Sequence, residues 1–356
     1  MINLTIKSDG SVKNALKKLS VIGERCLIVT GKDGKLLGTL SDGDLRKAIL
    51  GGAVLSDTIE GLYQPKPTVL VKGSYNIDKA KKLFIEHKFD LIPIINQNSV
   101  VVDVLIWSKL YNDGKKEIRQ ALDVSVVIMA GGRGTRLEPF TKVLPKPLVP
   151  IHDKPIIEHI IERFTELGCS DFYLTVNYKG KIFKSYFEEL QPDYQVQFIE
   201  EQKPMGTAGS LRYLRGRFDQ PFFVTNCDII IKADYANLYE YHLNGRYDIT
   251  LVASAKEYII PYGTCELNDD GHLSHINEKP KYDFLVNTGL YVLNPSVLDL
   301  IPENKFCHIT HLIENAKKHG KKVGIFPIDD DAWLDIGQWS EYKSVIRKFE
   351  SEHDCL

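Results

Sequence analysis

Long apolar runs are missing from this 356-residue sequence. No stretch approaches the roughly 18 residues that suggest a membrane span, so no membrane association is expected. The opening residues Met1-Ile2-Asn3-Leu4-Thr5-Ile6-Lys7 have no basic region followed by a long apolar core, and no secretory signal is expected either. An excess of one charge is also missing. Lys and Arg number 45 against 47 Asp and Glu, a formal net charge of −2. That balance argues against a protein whose main work is coating nucleic acid, while leaving room for a local basic pocket. The six cysteines (Cys26, Cys169, Cys227, Cys265, Cys307 and Cys355) are scattered, and none stands at the C-x-x-C spacing of a zinc or redox site. Reduced thiols in a cytoplasmic protein are the expectation.

What is present points to two domains. The length exceeds one typical domain, and 43% hydrophobic residues suffice for ordinary cores. An internal repeat occupies the N-terminal part. Moved along by 65 positions, Val12 falls on Ile77, Ala15 on Ala80 and Leu19 on Phe84, while Cys26-Leu27-Ile28-Val29 falls on Leu91-Ile92-Pro93-Ile94. Leu37, Leu40 and Leu45 fall on Val102, Leu105 and Leu110. Each unit reads as helix, strand, turn, strand and the start of another helix. Gly31-Lys32-Asp33-Gly34 supplies the hairpin turn of the first. Each unit alone would leave an apolar sheet face bare, and packing the two together buries both.

The segment Gly38-Thr39-Leu40-Ser41-Asp42-Gly43-Asp44-Leu45 resembles the end of a CBS motif, and the two units resemble a CBS pair over residues 1–115. The resemblance implies an adenine nucleotide in a cleft, with Ser41 and Asp42 as candidate ribose contacts. The alternative is that Asp42 only caps the helix starting near Leu45. In the second unit Ile106-Trp107-Ser108-Lys109 replaces the Ser-Asp element, so at most one well-formed ribose site is expected. Tyr111-Asn112-Asp113-Gly114-Lys115-Lys116-Glu117 is polar and reads as a linker or loop.

After this linker the pattern changes. Val124-Ser125-Val126-Val127-Ile128-Met129-Ala130 suits a strand buried on both faces of a parallel sheet. Gly131-Gly132-Arg133-Gly134-Thr135-Arg136-Leu137 follows. Its glycines bring backbone amides close to phosphate oxygens, and two guanidiniums add charge of the right geometry. The loop is neither a Walker A motif nor a dinucleotide fingerprint. In Leu144-Pro145-Lys146-Pro147-Leu148 two prolines restrain one lysine. Lys154 to Phe164 reads as an amphipathic helix with proline in its first turn. Ala-Gly-Gly-x-Gly-Thr-Arg-Leu followed by Pro-Lys-Pro is similar to the signature of sugar-1-phosphate nucleotidyltransferases, and the resemblance extends from Val124 to near the C-terminus.

That resemblance implies an α/β fold, a Rossmann-like mixed-sheet (GT-A-like) domain over residues 124–356. It follows a tandem CBS module of α+β type over residues 1–115, in units of about 1–62 and 63–115, with residues 116–123 as linker. It also implies the site. Ala130, Gly131, Gly132, Gly134, Thr135 and Arg136 hold the triphosphate. Gly206, Thr207 and Ala208, with Glu201, lie along the base; a simple N-cap by Thr207 is the alternative. Asp228 and Asp335, the latter in Trp333-Leu334-Asp335-Ile336-Gly337, hold Mg²⁺. Asp329 and Asp330 read as solvated loop charges. Tyr262, Gly263, Glu278, Lys279 and Asn287 receive the sugar phosphate, with Asn287 at the start of a strand.

The chemistry implied is attack of a sugar phosphate oxygen on the α-phosphorus of a nucleoside triphosphate, with pyrophosphate leaving. Arg136, Lys146, Asp228 and Asp335 are the catalytic residues. A phosphate monoester is already ionised near pH 7, so no general base is required. The Gly-Thr-Ala-Gly form with Glu200 and Glu201 upstream looks most like guanylyltransferases, which points to GTP. The fused CBS pair resembles the glucosamine-1-phosphate guanylyltransferases of bacterial legionaminic acid synthesis, with mannose- and heptose-1-phosphate guanylyltransferases as close relatives. Use of UTP, CTP or dTTP remains an alternative. A non-catalytic sensor and a nucleotide-sugar oxidoreductase are the rival classes. Self-association is expected, because CBS pairs commonly dimerise.

Overall fold

Apolar residues at helical spacing open the fold. Val12, Ala15, Leu16 and Leu19 are all buried on one side of α1 (Val12–Ile22). Ser11 caps its start by accepting from the Asn14 amide, and Gly23 ends it with φ 72°. The structure, a computed structural model, describes residues 4–87, 89–106, 122–303 and 305–353. The chain divides into two units, each described separately. The first comprises Met1–Ile118, Ser254–Val286 and Pro327–Asp331; the second comprises Arg119–Ala253, Asn287–Phe326 and Ala332–Leu356.

In the first unit, β1 (Thr5–Lys7) pairs parallel to β2 (Cys26–Thr30), and β2 pairs antiparallel to β3 (Leu36–Ser41) through the Gly31–Gly34 turn. There follow α2 (Asp42–Leu50), β4 (Gln64–Pro65), β5 (Leu70–Val71), α3 (Ile77–His87), β6 (Leu91–Ile95) and β7 (Val101–Ile106). The bounds of α3, β6 and β7 each lie 65 residues beyond those of α1, β2 and β3, the offset of the sequence repeat. β1 to β4 form one sheet and β5 to β7 another. Leu91 and Ile106 from the second repeat share a core with Leu27, Leu40 and Leu45 from the first, so the two bare faces do cover one another. The second-repeat counterpart of the Ser-Asp element, Trp107-Ser108-Lys109, lies outside the described residues, as does the linker segment from Tyr111 to Lys115.

The second unit is built on a sheet that begins with β8 (Val126–Met129), whose four residues are all buried. After it come α4 (Ile156–Thr165), β9 (Asp171–Val176), α5 (Gly180–Leu190), β10 (Gln195–Glu200), β11 (Phe222–Asn226), β12 (Ile229–Ile231) and α6 (Tyr235–Gly245). The remaining elements of the chain are β13 (Ile249–Ile259), β14 (Thr264–Leu267), β15 (Leu273–Asn277), β16 (Lys281–Leu293), α7 (Ile309–Lys318), β17 (Val323–Asp329), β18 (Trp333–Asp335) and α8 (Trp339–His353), of which β14 and β15 lie wholly in the first unit. α4 starts two residues later than its periodicity suggests, because Lys154–Pro155 pairs with Pro150–Ile151 in a short β-ladder and Pro155 takes the N-cap position.

The large sheet runs β10-β9-β8-β11-β16-β13-β17. β8 to β11 are mutually parallel, and β16 returns antiparallel to β11. The chain therefore leaves β8 on one side for β9 and β10, then comes back on the other side as β11. Such a reversal opens a crevice at the carboxyl ends of the two central strands, where open α/β sheets bind ligands. β8 and β11 end level, Met129 opposite Asn226. The segments that follow them carry the predicted phosphate loop and Asp228.

Candidate active site

Buried β8 forces the chain out of the sheet at Ala130, whose amide still donates to the Thr175 carbonyl on β9 (2.9 Å). The loop from Gly131 then turns into a single 3₁₀ turn at Thr135–Leu137. Gly134 has φ 66°, a conformation that favours glycine. A Cβ there would lie 2.9 Å from both the Cβ of Lys146 and the Cγ2 of Thr141. The loop is thus seated directly on Lys146, and Thr141 secures it by donating to the Gly134 carbonyl (2.9 Å). Gly132, Arg133, Thr135 and Arg136 face solvent. Lys146 opens a 3₁₀ turn after Pro145, and its ammonium pairs with the Asp228 carboxylate.

The two acids meet through strand pairing that no local pattern predicts. Asp228 precedes β12, β12 pairs antiparallel with β18, and Ile229 stands opposite Asp335. The Ile336 amide donates to the Asp228 carbonyl (2.8 Å), closing the pair. Gly337 lies against both. A Cβ on it would stand 2.8 Å from Asp335 Oδ1 and 3.7 Å from Asp228 Oδ2. Burial raises the pKa of Asp335; the Gly337 amide opposes this, the nearby Asp228 charge adds to it, and Lys146 opposes it.

At the other end of the loop, Gly131 abuts Glu201, and a Cβ there would lie 2.9 Å from Glu201 Oε1. Glu201 is only 9% exposed, and burial holds its carboxyl above the ordinary carboxylate range against hydrogen bonds from Ser210 and the Met205 amide. Its neighbour Glu200 points to solvent and pairs with Lys184. Asn177 supports the junction, donating from Nδ2 to the Glu201 carbonyl (2.7 Å). Gly206 has φ 81° and packs on the Cys307 carbonyl, which accepts from the amides of Ala208 and Gly209. Gly206–Gly209 is itself a four-residue helix. The Thr207 hydroxyl caps a different helix, accepting from the Ile309 amide at the start of α7 (2.9 Å). Ala208 is wholly buried in the core, so only Gly206 and Thr207 of this trio are open to a ligand. On β16, Gly289 (φ 93°) makes room for the Asn226 side chain. Asn287, two residues before it and midway along the strand rather than at its start, bonds the Tyr291 hydroxyl (2.8 Å).

Four of the five predicted sugar-phosphate residues belong to the first unit and cluster there. β14 pairs antiparallel with β15, Thr264 opposite Asn277. That pairing brings Gly263 against Glu278, with 2.9 Å between a Gly263 Cβ position and Glu278 Oε2. Lys279 follows with φ 49°, and Tyr262 is exposed. At the start of α2, the Ser41 hydroxyl and the Asp44 carboxylate form a capping box. Ser41 is therefore the cap, the helix begins at Asp42 rather than near Leu45, and Asp42 instead pairs with Arg46. Asp329 departs from the sequence reading. It lies on β17, is 8% exposed, and burial raises its carboxyl pKa, while Asp330 pairs with Lys256 (3.1 Å).

Comparison with known proteins fits this arrangement. The family model described as nucleotidyl transferase matches residues 125–352, and the CBS domain model matches residues 2–51. The chain belongs to the nucleotidyl transferase family. It is 35% identical over 228 residues to a mannose-1-phosphate guanyltransferase of Pichia angusta, covering 61% of this chain and 62% of that protein. A mannose-1-phosphate guanyltransferase of Schizosaccharomyces pombe is 34% identical over 229 residues, with 62% of each covered. The chain thus spans about three-fifths of the length of these curated relatives. HddC from Yersinia pseudotuberculosis superposes with a TM-score of 0.51 at 27% identity, over 64% of this chain and 99% of HddC. HddC complexed with GMP-PN gives 0.50 at 26% identity, over the same shares.

Members of the nucleotidyl transferase family generally use divalent metal ions. The donor chemistry here fits one. Asp228 and Asp335 are hard oxygen ligands of like charge set side by side, and a cation between them would offset both their repulsion and the burial of Asp335. Among the described residues no group of three or more His, Cys, Asp or Glu could hold a metal, so the remaining coordination would fall to water and phosphate oxygens. Sequence reasoning missed several supports of this site: Thr141, Asn177 and Asn226 belong to no catalytic motif, and only their contacts reveal them. No described helix is long and apolar enough to cross a membrane.

Proposed function

We propose that this protein transfers a guanylyl group from GTP to a sugar 1-phosphate with release of pyrophosphate, using Mg²⁺. One observation carries the reading: Lys146, Asp228 and Asp335 meet at the mouth of the glycine loop, at the reversal point of the sheet. Backbone amides of Gly131 to Gly134 and the Arg136 guanidinium receive the triphosphate. Lys146 is held by Pro145 and Gly134, so it meets charge developing on the α-phosphate without reorganising. Asp228 and Asp335 would hold the metal, which when bound offsets negative charge on the triphosphate. Lys279 and Glu278 of the first unit are the candidate sugar-phosphate contacts, and no side chain need take a proton from the already ionised nucleophile. Contact with the N1 and N2 hydrogens of guanine would require Glu201, buried beside Gly131, to exchange its bonds from Ser210 and the Met205 amide for the base, and this carboxylate supports GTP over the pyrimidine nucleotides.

For the sugar, the fused N-terminal pair supports a hexosamine 1-phosphate. The names of the relatives aligned above favour mannose 1-phosphate as a second reading. Residues 1–115 act as a regulatory module joined through 116–123 to a catalytic domain at 124–356, in a cytoplasmic homo-oligomer. Adenine nucleotide binding at Ser41 and Asp42 would require Asp42 to exchange Arg46 for a ribose. The test is a pyrophosphate-release panel: four nucleoside triphosphates against glucosamine, mannose and heptose 1-phosphates, with and without AMP. Turnover confined to GTP supports the reading. Equal turnover with UTP or CTP contradicts the role of Glu201, and no turnover with any pair favours a non-catalytic sensor.

A further inference from the structure

We infer that Trp339 is a positioning residue that latches the triphosphate loop to the segment bearing the acidic pair. The inference rests on the reading of that loop given under Proposed function. Five residues, Asp335 to Trp339, connect the two. At one end, Gly337 lies against both carboxylates and donates its amide to Asp335 Oδ1 (2.7 Å). At the other end, Trp339 Nε1 donates to the Glu138 carbonyl at the far end of the phosphate loop (2.6 Å). The indole also packs on Phe140, ring centroids 5.3 Å apart, and Tyr342 closes the trio at 5.6 Å from Trp339 and 6.0 Å from Phe140. Tyr342 is in turn fixed by donating its hydroxyl to the Pro150 carbonyl (2.7 Å).

The loop needs such an anchor. Its central residues face solvent, and Gly134 and Thr141 seat it on Lys146. Without Trp339, the Glu138 carbonyl loses its bond to α8 and Phe140 keeps only Tyr342 there, so the turn carrying Arg136 is held less firmly. A bound triphosphate itself holds the loop down, so at saturating GTP Arg136 and Lys146 are in place and the contact acts chiefly on nucleotide capture. Trp339 should therefore govern the affinity for the triphosphate much more than the rate of the chemical step.

The test uses the full-length protein and the variants W339F, W339A and Y342F. Two readouts are taken: GTP binding by calorimetry with Mg²⁺ and no sugar phosphate, and tryptic cleavage after Arg133 and Arg136 in the nucleotide-free protein. W339F keeps a ring for the stack and loses the donor, so about a threefold loss of GTP affinity is expected, with a matching rise in loop cleavage. W339A loses both contacts, and roughly a tenfold or larger change in each readout is expected, while kcat at saturating GTP stays within about threefold. Y342F keeps its ring and should behave as wild type in loop cleavage, which separates the latch from general loosening of α8. Wild-type cleavage and GTP affinity in W339A would overturn the inference, as would an equal loss of kcat and GTP affinity. Because cleavage is read without nucleotide, a latch that holds in a wild type binding no GTP would sink the assigned function and not the latch.

Discussion

Replacing Gly134 with alanine separates the steric account of the phosphate loop from any looser one, particularly beside the same change at Gly132. At Gly134 the new methyl meets two atoms at 2.9 Å, the Cβ of Lys146 and the Cγ2 of Thr141, and neither is the far end of a flexible chain. The backbone is also left-handed there, φ 66°, which costs an alanine about 1–2 kcal/mol. Overpacking adds about 1–3 kcal/mol. The expected loss of stability is thus roughly 2–5 kcal/mol if the loop stays in place. If the loop shifts instead, Lys146 moves with it, and a displacement of about 1 Å costs on the order of 10²-fold in rate. A Gly132 methyl meets nothing within 4 Å, and no left-handed φ is involved. Gly132→Ala should therefore change stability by less than about 0.5 kcal/mol. It should still weaken GTP binding several-fold, because its methyl stands where backbone amides must approach phosphate. Chemical denaturation and steady-state pyrophosphate release on both variants supply the comparison. Equal stabilities for the two would refute the steric argument, and unaltered GTP binding in Gly132→Ala would remove the triphosphate from this loop.

Three further outcomes follow from the same geometry. Asp228→Asn keeps the size of the side chain and its acceptor for Lys146; it should fold normally yet lose on the order of 10²–10³ in kcat at saturating Mg²⁺, and near-normal turnover would refute the metal role. Glu201→Gln removes the acceptor pair from the base side, so kcat/KM for GTP should fall at least tenfold while that for UTP changes little, read in competition assays. His242 is 1% exposed, and burial depresses its pKa to about 4. The unfolded chain therefore takes up this proton first, and stability present above about pH 6.5 is lost as pH falls toward 4, by up to about 3 kcal/mol. In His242→Gln the pH dependence of the denaturation midpoint should be flatter over that window than in the parent.

The parts of the fold that sequence made legible are those governed by local pattern. The repeat offset returned the bounds of three elements, because each unit carries its own helical and strand periodicity. The phosphate loop was legible because glycine and proline act on the backbone where they stand. The acidic pair is different: Asp228 and Asp335 meet only because β12 and β18 pair across more than a hundred residues, and family resemblance alone brought them together beforehand. Asp329 departs from its sequence reading because three consecutive aspartates look solvated, although Asp329 ends a strand whose last four residues, Phe326 to Asp329, are all buried. Strand alternation over Gln195–Glu200 and its continuation does separate exposed Glu200 from buried Glu201. Thr207 was weighed as a cap for its own helix and instead caps α7, a partner 102 residues away that no window could reveal.

Crystals grown with GTP and Mn²⁺ in place of Mg²⁺ offer the most direct measurement of the central claim. If both acids hold the ion, an anomalous peak lies roughly 2–2.3 Å from a carboxylate oxygen of both Asp228 and Asp335, with the triphosphate along Gly131 to Arg136. A peak bound to neither acid, or a triphosphate lying away from the loop, would contradict it.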